Sequence, residues 1–131
     1  MVNIKVVIDT SVIIDHLRQV KGKKTIFKTI LENKTIDFYI SSDVIQELFA
    51  GQSSKEEKSR DEIQKILKLF KIVNVTAEIA EQAGQIMRDT KTGVQFADAA
   101  IAATAILNKA QLLTPNMKDF EKIKGLKFAS V

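Results

Sequence analysis

Apolar and polar positions along this chain follow two rhythms, and each change of rhythm marks an element. Ile4-Lys5-Val6-Val7-Ile8 is a β-branched run that stops at Asp9-Thr10-Ser11, which predicts a buried strand feeding a helix. Val12 to Leu17 continues as a short helix. Lys23 to Leu31 places Ile26, Phe27, Ile30 and Leu31 at helical spacing, with lysines on the other side. Ile36-Asp37-Phe38-Tyr39-Ile40 is a second strand. Ser41 or Ser42 then supplies an N-cap for a helix through Ala50, stopped by Gly51. Ser53 with Glu56, or Ser54 with Glu57, offers a capping box for the next helix. That helix carries Ile63, Ile66, Leu67 and Phe70 on one face and is expected to end near Lys71.

Ile72 to Val75 reads as a short strand. Ala77 to about Asp89 is helical with Ile79, Ala83, Ile86 and Met87 inward, and Gln95 to Asn108 is another helix. Gln111 to Thr114 and Lys127 to Ala129 complete the strands. Strands alternating with helices, most strands apolar throughout, predict an α/β domain with a parallel sheet covered on both faces. Ligands of such open sheets bind at the carboxyl ends of the strands, near a switch in strand order. Asp9 ends the first strand and Thr114 a later one.

The helix around Asp98 changes the picture from fold to chemistry. In Ala97-Asp98-Ala99-Ala100-Ile101-Ala102-Ala103-Thr104-Ala105-Ile106-Leu107 only Asp98 and Thr104 are polar, so the helix has no solvent face and belongs at the centre. At ~100° per residue, Asp98 shares a face with Ile101, Ala102 and Ala105. An ionised carboxylate there is costly unless it is paired or binds a metal. The alternative is a first-turn Asp that favours the helix dipole and still meets water. Glu47 lies at the border of the arc Val44, Ile45, Leu48 and Phe49, where a solvated side chain is the ordinary reading. Asp9 is equally placed to act chemically or as an N-cap. Asn116 followed by Asp119 also fits a capped short helix, as do Thr114 and Pro115 as N-cap and first helical residue. Asp15 reads as a surface acid.

Composition narrows the chemistry further. The 131 residues suit one domain, and 45% hydrophobic content supplies a core. No apolar stretch approaches a bilayer span, and the start of the chain lacks a signal-peptide profile, so no membrane role is expected. The absence of cysteine excludes disulfides and thiolate metal sites and fits a cytoplasmic location. The net charge is +4, from 20 Lys and Arg against 16 Asp and Glu. Setting four acids aside in a site leaves 12 against 20, a surface of +8 that suits a polyanion or merely keeps the protein soluble. No GxGxxG or Walker A pattern is present, and the single His16 cannot build a histidine-rich zinc site. Ser11 lacks a nucleophile elbow and a histidine partner. What remains is an oxygen-rich carboxylate site, which prefers Mg²⁺ or Mn²⁺.

Taken together, these stretches resemble the PIN-domain ribonucleases, and within them the VapC-type toxins of toxin–antitoxin pairs. Val7-Ile8-Asp9-Thr10-Ser11-Val12-Ile13-Ile14-Asp15 looks like the family's opening strand and first acid, and Glu47-Leu48-Phe49-Ala50-Gly51 like its second-acid helix. Phe96-Ala97-Asp98-Ala99-Ala100-Ile101-Ala102-Ala103-Thr104-Ala105 is similar to the third motif and is the most specific. Leu113-Thr114-Pro115-Asn116-Met117-Lys118-Asp119-Phe120 resembles the closing one. The likeness spans the chain from end to end. Two departures stand out: Pro115 replaces a usually basic or polar residue, and the helix of Asp98 starts without the frequent proline.

The resemblance implies a three-layer α/β/α sandwich, a single PIN-like domain over residues 1–131, that cleaves RNA internally with Mg²⁺ or Mn²⁺. Asp9 and Asp98 would hold the cation, Glu47 and Asp119 would complete its shell, and Ser11, Thr114 and Asn116 would position carboxylates or phosphate. It also implies a cognate antitoxin bound at the helical hairpin from Val44 to Phe70, and a homodimer. Two other functions compete. A catalytically silent PIN-fold module would bind RNA or protein without cutting. A phosphatase with Asp9 as nucleophile would need a second acid two residues on, where Ser11 stands.

Overall fold

A computed structural model describes residues 3–18, 28, 32–91 and 93–130. The helix expected between Lys23 and Leu31 lies outside the described residues, apart from Lys28. Four strands, β1 (Ile4–Ile8), β2 (Ile36–Ser41), β3 (Lys71–Val73) and β4 (Gln111–Leu113), form one parallel sheet in the order β3-β2-β1-β4. Helices α1 (Thr10–Arg18), α2 (Ser42–Ala50), α3 (Glu57–Leu67), α4 (Ala77–Asp89) and α5 (Phe96–Leu107) flank it. Consecutive residues of a strand point to opposite faces, yet Val6, Val7 and Ile8 are all at most 1% exposed. Both faces of β1 are therefore covered, as its uninterrupted apolar run requires.

Strand order fixes where a site can form. From β1 the chain builds outward through β2 to β3, then returns to place β4 on the other side of β1. The switch in direction thus falls between β1 and β4, where Ile8 lies abreast of Leu113. The residues that follow, Asp9 and Thr114, emerge side by side at the carboxyl ends.

Helix α5 is the central helix that its composition predicts. Every residue from Ala99 to Ala105 is buried, and the helix packs on α2, α4 and three of the four strands. Its one polar interior residue, Thr104, donates its hydroxyl to the Ala100 carbonyl at 2.7 Å, so no polar atom is orphaned. Small alanines allow this close approach. Phe120 and Ile123 pack into the same core, tying the segment after β4 to it.

Several local expectations need correction. Neither capping box forms: α3 begins after Glu56, which makes no side-chain cap. A 3₁₀ turn, Gln52–Lys55, instead brings Ser54 under the end of α2, where its hydroxyl donates to the carbonyls of Phe49 (2.9 Å) and Gly51 (2.7 Å). With those carbonyls satisfied, Gly51 needs no left-handed turn and sits at φ −67°. Helix α3 ends at Leu67, before Lys71, and Phe70 is buried from the turn beyond it. Met87 is 37% exposed, because Ile79, Ala83 and Ile86 already form the inward stripe of α4 and residue 87 falls at its border. The segment around Phe128 is only a bridge: Leu112 N–H donates to the Lys127 carbonyl, and Ala129 N–H to that of Leu112. Among the described residues no helix is long and apolar enough to cross a membrane.

Candidate acidic site

Asp9 is the anchor of the site. Its side chain is buried directly after β1, its N–H donates to the Leu113 carbonyl (3.0 Å), and its carbonyl accepts from Val12 N–H at the start of α1 (3.1 Å). Its Oδ2 accepts from Ser11 Oγ at 2.7 Å and from Thr114 Oγ1 at 2.8 Å. The second bond spans the β1/β4 switch point and fixes the carboxylate from both sides. Thr114 Oγ1 also accepts from the backbone N–H of Asn116 (3.0 Å), which turns the chain toward the 3₁₀ turn Met117–Asp119. Asn116 thus contributes through its backbone, and its exposed side chain caps nothing. Thr114 is likewise no N-cap to a helix starting at Pro115.

Asp98 is half-buried in the first turn of α5, and its carboxyl is pushed up to about 6. Burial is the leading cause, followed by the charges of Asp9, Asp119 and Glu47. The other three acids singled out in the sequence therefore all act on Asp98 electrostatically. No hydrogen bond or cation from the described residues relieves Asp98. The ion pairs among the described residues lie elsewhere, between Lys71 and Asp37 and between Arg88 and Asp89. Glu47 stands at the more exposed rim on α2, where Thr10 Oγ1 donates to its Oε1 at 2.8 Å. Partial burial raises its pKa, Thr10 opposes the rise, and the charges of Asp9 and Asp43 add to it. Asp119, at the end of its 3₁₀ turn, is exposed beside Asp98.

Two residues of this cluster escape the sequence reading. Thr10 is buried at the start of α1 and couples that helix to Glu47 on α2. Its only signal is its place between Asp9 and Ser11. Asp43 precedes Glu47 by one helical turn, and burial raises its pKa as well. It reads as an ordinary acid after the N-cap Ser41, whose hydroxyl accepts its N–H.

The donors converging here are all oxygens, and none of the four acids forms an ion pair with a described lysine or arginine, which suits a hard divalent cation. No group of three His, Asp or Glu among the described residues is already drawn into metal-holding geometry, so ligation needs side-chain adjustment. Two clefts flank the cluster. One of about 480 Å³ runs between α1, α2 and α3, with Glu47 beside Ile14, Leu17, Leu48 and Ile63. The other, of about 610 Å³, holds Asp98 and Asp119 together with Phe96, Lys118 and Lys122.

Comparison with known proteins fits this geometry. The sequence profile described as the PIN domain matches residues 6–126. Ribonuclease VapC1 of Methanocaldococcus jannaschii is 30% identical over 129 residues, covering 94% of this chain and 85% of its own. Ribonuclease VapC10 of Mycobacterium tuberculosis is 29% identical over 125 residues, covering 93% and 90%. Among solved structures, VapBC2 from Rickettsia felis, bound to a DNA fragment from its promoter, superimposes with a TM-score of 0.83 at 23% identity, covering 96% of this chain and 98% of that one. VapBC from Salmonella typhimurium, also DNA-bound, gives 0.82 at 23% identity, covering 96% and 97%. A profile spanning nearly the whole chain, acids gathered at the β1/β4 switch point and this shared fold make the chain a member of the PIN-domain family.

Proposed function

We propose that this protein is a divalent-metal-dependent endoribonuclease and the toxin of a toxin–antitoxin pair. The observation that carries this reading is the gathering of Asp9, Glu47 and Asp119 around Asp98 with no ion pair to a described residue, in a chain whose relatives are named ribonucleases. Asp9 and Asp98 would hold Mg²⁺ or Mn²⁺, with Glu47 and Asp119 completing the shell. When bound, such an ion supplies Lewis acidity, making water more acidic and countering charge on the scissile phosphate. Ser11 and Thr114 keep Asp9 in one orientation, and Thr10 does the same for Glu47, so the acids are aimed before substrate arrives. Asp98 must release its proton to serve as a ligand, which its raised pKa makes pH-dependent.

The cleft between α1, α2 and α3 is the surface we assign to the antitoxin, since Ile14, Leu17, Leu48 and Ile63 offer apolar contacts to a partner helix beside the polar Arg18, Ser59 and Glu62. A homodimer acting in the cytoplasm completes the reading. The decisive test is cleavage of a defined RNA by purified protein with Mg²⁺ or Mn²⁺ and with EDTA. Metal-dependent internal cleavage that disappears in Asp98→Asn is expected. Full activity in purified Asp98→Asn would sink the mechanism. RNA binding without cleavage would favour the silent module, and a phosphoenzyme trapped at Asp9 would favour the phosphatase.

A further inference from the structure

The cleft beside Asp98 and Asp119 carries an apolar residue that the core does not explain. Phe96, the first residue of α5, is 77% exposed, the most exposed of the large hydrophobic residues described. It stands two positions before Asp98 and lines the same cleft as both acids. Lys118 and Lys122 line that cleft too, and neither forms an ion pair with a described residue. A bare aromatic ring, two lysines and the carboxylates of Asp98 and Asp119 thus share one open groove of about 610 Å³.

Each part matches one part of a single-stranded nucleic acid. An exposed ring offers a face for base stacking, and such stacking tolerates any base. The lysines offer counter-charge to phosphates and release condensed counterions on contact. Asp98 and Asp119 line the same cleft, so a phosphate between those groups would lie beside them. A protein partner covering Phe96 would also have to cover two lysines that form no ion pair with a described residue, whereas a polyanion supplies the complement.

We propose that this cleft seats the RNA strand beside the scissile phosphate, with Phe96 stacking on one base and Lys118 and Lys122 contacting the flanking phosphates. The proposal rests on the nuclease reading and adds to it the residue that grips a base beside the scissile phosphate. Duplex RNA, with its bases already stacked on each other, offers Phe96 nothing.

The test is binding of a fluorescently labelled single-stranded RNA, followed by anisotropy with Mg²⁺ present, to protein carrying Asp98→Asn so that no strand is cut. Adding Phe96→Ala is expected to weaken binding about tenfold, and Phe96→Trp to restore it. Lys118→Ala with Lys122→Ala should lower the slope of log affinity against log salt by roughly 1.4, the value for two contacts on a single strand. Unchanged affinity in the Phe96→Ala protein would overturn the proposal. So would a fall in self-association with RNA affinity per chain unchanged, which would assign Phe96 to a second copy. Cleavage by protein with Asp98 intact is scored separately. Phe96-dependent binding without cleavage would end the nuclease reading and keep the cleft, and cleavage with Phe96-independent binding would do the reverse.

Discussion

The carboxyl of Asp98 illustrates how one side chain can set the stability of the metal-free protein against its function. Its folded pKa of about 6 lies above the unfolded value of 3.8. A raised acid favours the fold while protonated, so this contribution is complete below pH 3.8 and is lost as pH rises toward 6. Asp98→Asn removes the penalty at neutral pH. The variant without metal should therefore melt higher than the native chain at pH 7, by the equivalent of ~1 kcal/mol once solvent screening is allowed for. A lower melting temperature for the variant at pH 7 would contradict the electrostatic account. Thr10 makes a second residue-scale prediction. Thr10→Val keeps the volume but deletes the donor to Glu47, so activity should fall several-fold at a stability cost of ~1 kcal/mol. If Glu47 is irrelevant to the chemistry, stability alone will change, and parallel measurement of cleavage and urea midpoint separates the cases. Asp98 was legible in the sequence because a lone acid in an apolar helix has few ordinary explanations. Thr10 and Asp43 were not, since a threonine after a strand and an acid after an N-cap are ordinary wherever they occur.

At the scale of elements, α5 links the fold to the site. Seven successive buried residues press it against the sheet, and this fixes the depth at which Asp98 emerges. Ala102 lies on the face shared with Asp98 and has no exposed surface. Ala102→Leu should overpack this contact and lower stability by roughly 1–3 kcal/mol, read as a lower urea midpoint with an unchanged slope. A neutral result would mean that the helix does not pack as closely as its alanines suggest. The strands were legible as short apolar runs bounded by polar residues, and the long helices because a period of about 3.6 residues repeats along them. Their ends were less so. Ser54 satisfied a capping pattern in sequence, but its hydroxyl serves the carbonyls of the preceding helix, because the turn between α2 and α3 folds it back. A serine between two helices can serve either one, and only the path of the connecting turn selects.

Across the whole molecule, folding draws Asp9, Glu47 and Asp119 from separate parts of the chain close enough to repel the charge of Asp98. Mg²⁺ or Mn²⁺ should relieve that repulsion and raise the melting temperature at pH 7. The rise should shrink at pH 5, where Asp98 is protonated and competes with the metal. An equal rise at both pH values would place the ion elsewhere, as would an undiminished rise in Asp98→Asn.

By itself the sequence determined the α/β class, four strands and five helices of the described residues, the central place of α5, and four acids in an order that resembles the PIN family. These properties follow from local periodicity and residue chemistry, which are written along the chain. Only the tertiary structure decided that β4 pairs with β1, and hence that Thr114 reaches Asp9 across 105 positions of sequence. It also decided that Thr10 holds Glu47, that Ser54 faces backward, and that Phe96 stands bare beside Asp98. Each depends on which strand or turn lies next to which. Such adjacency is set by packing of the whole core and leaves no mark in the spacing of any one segment.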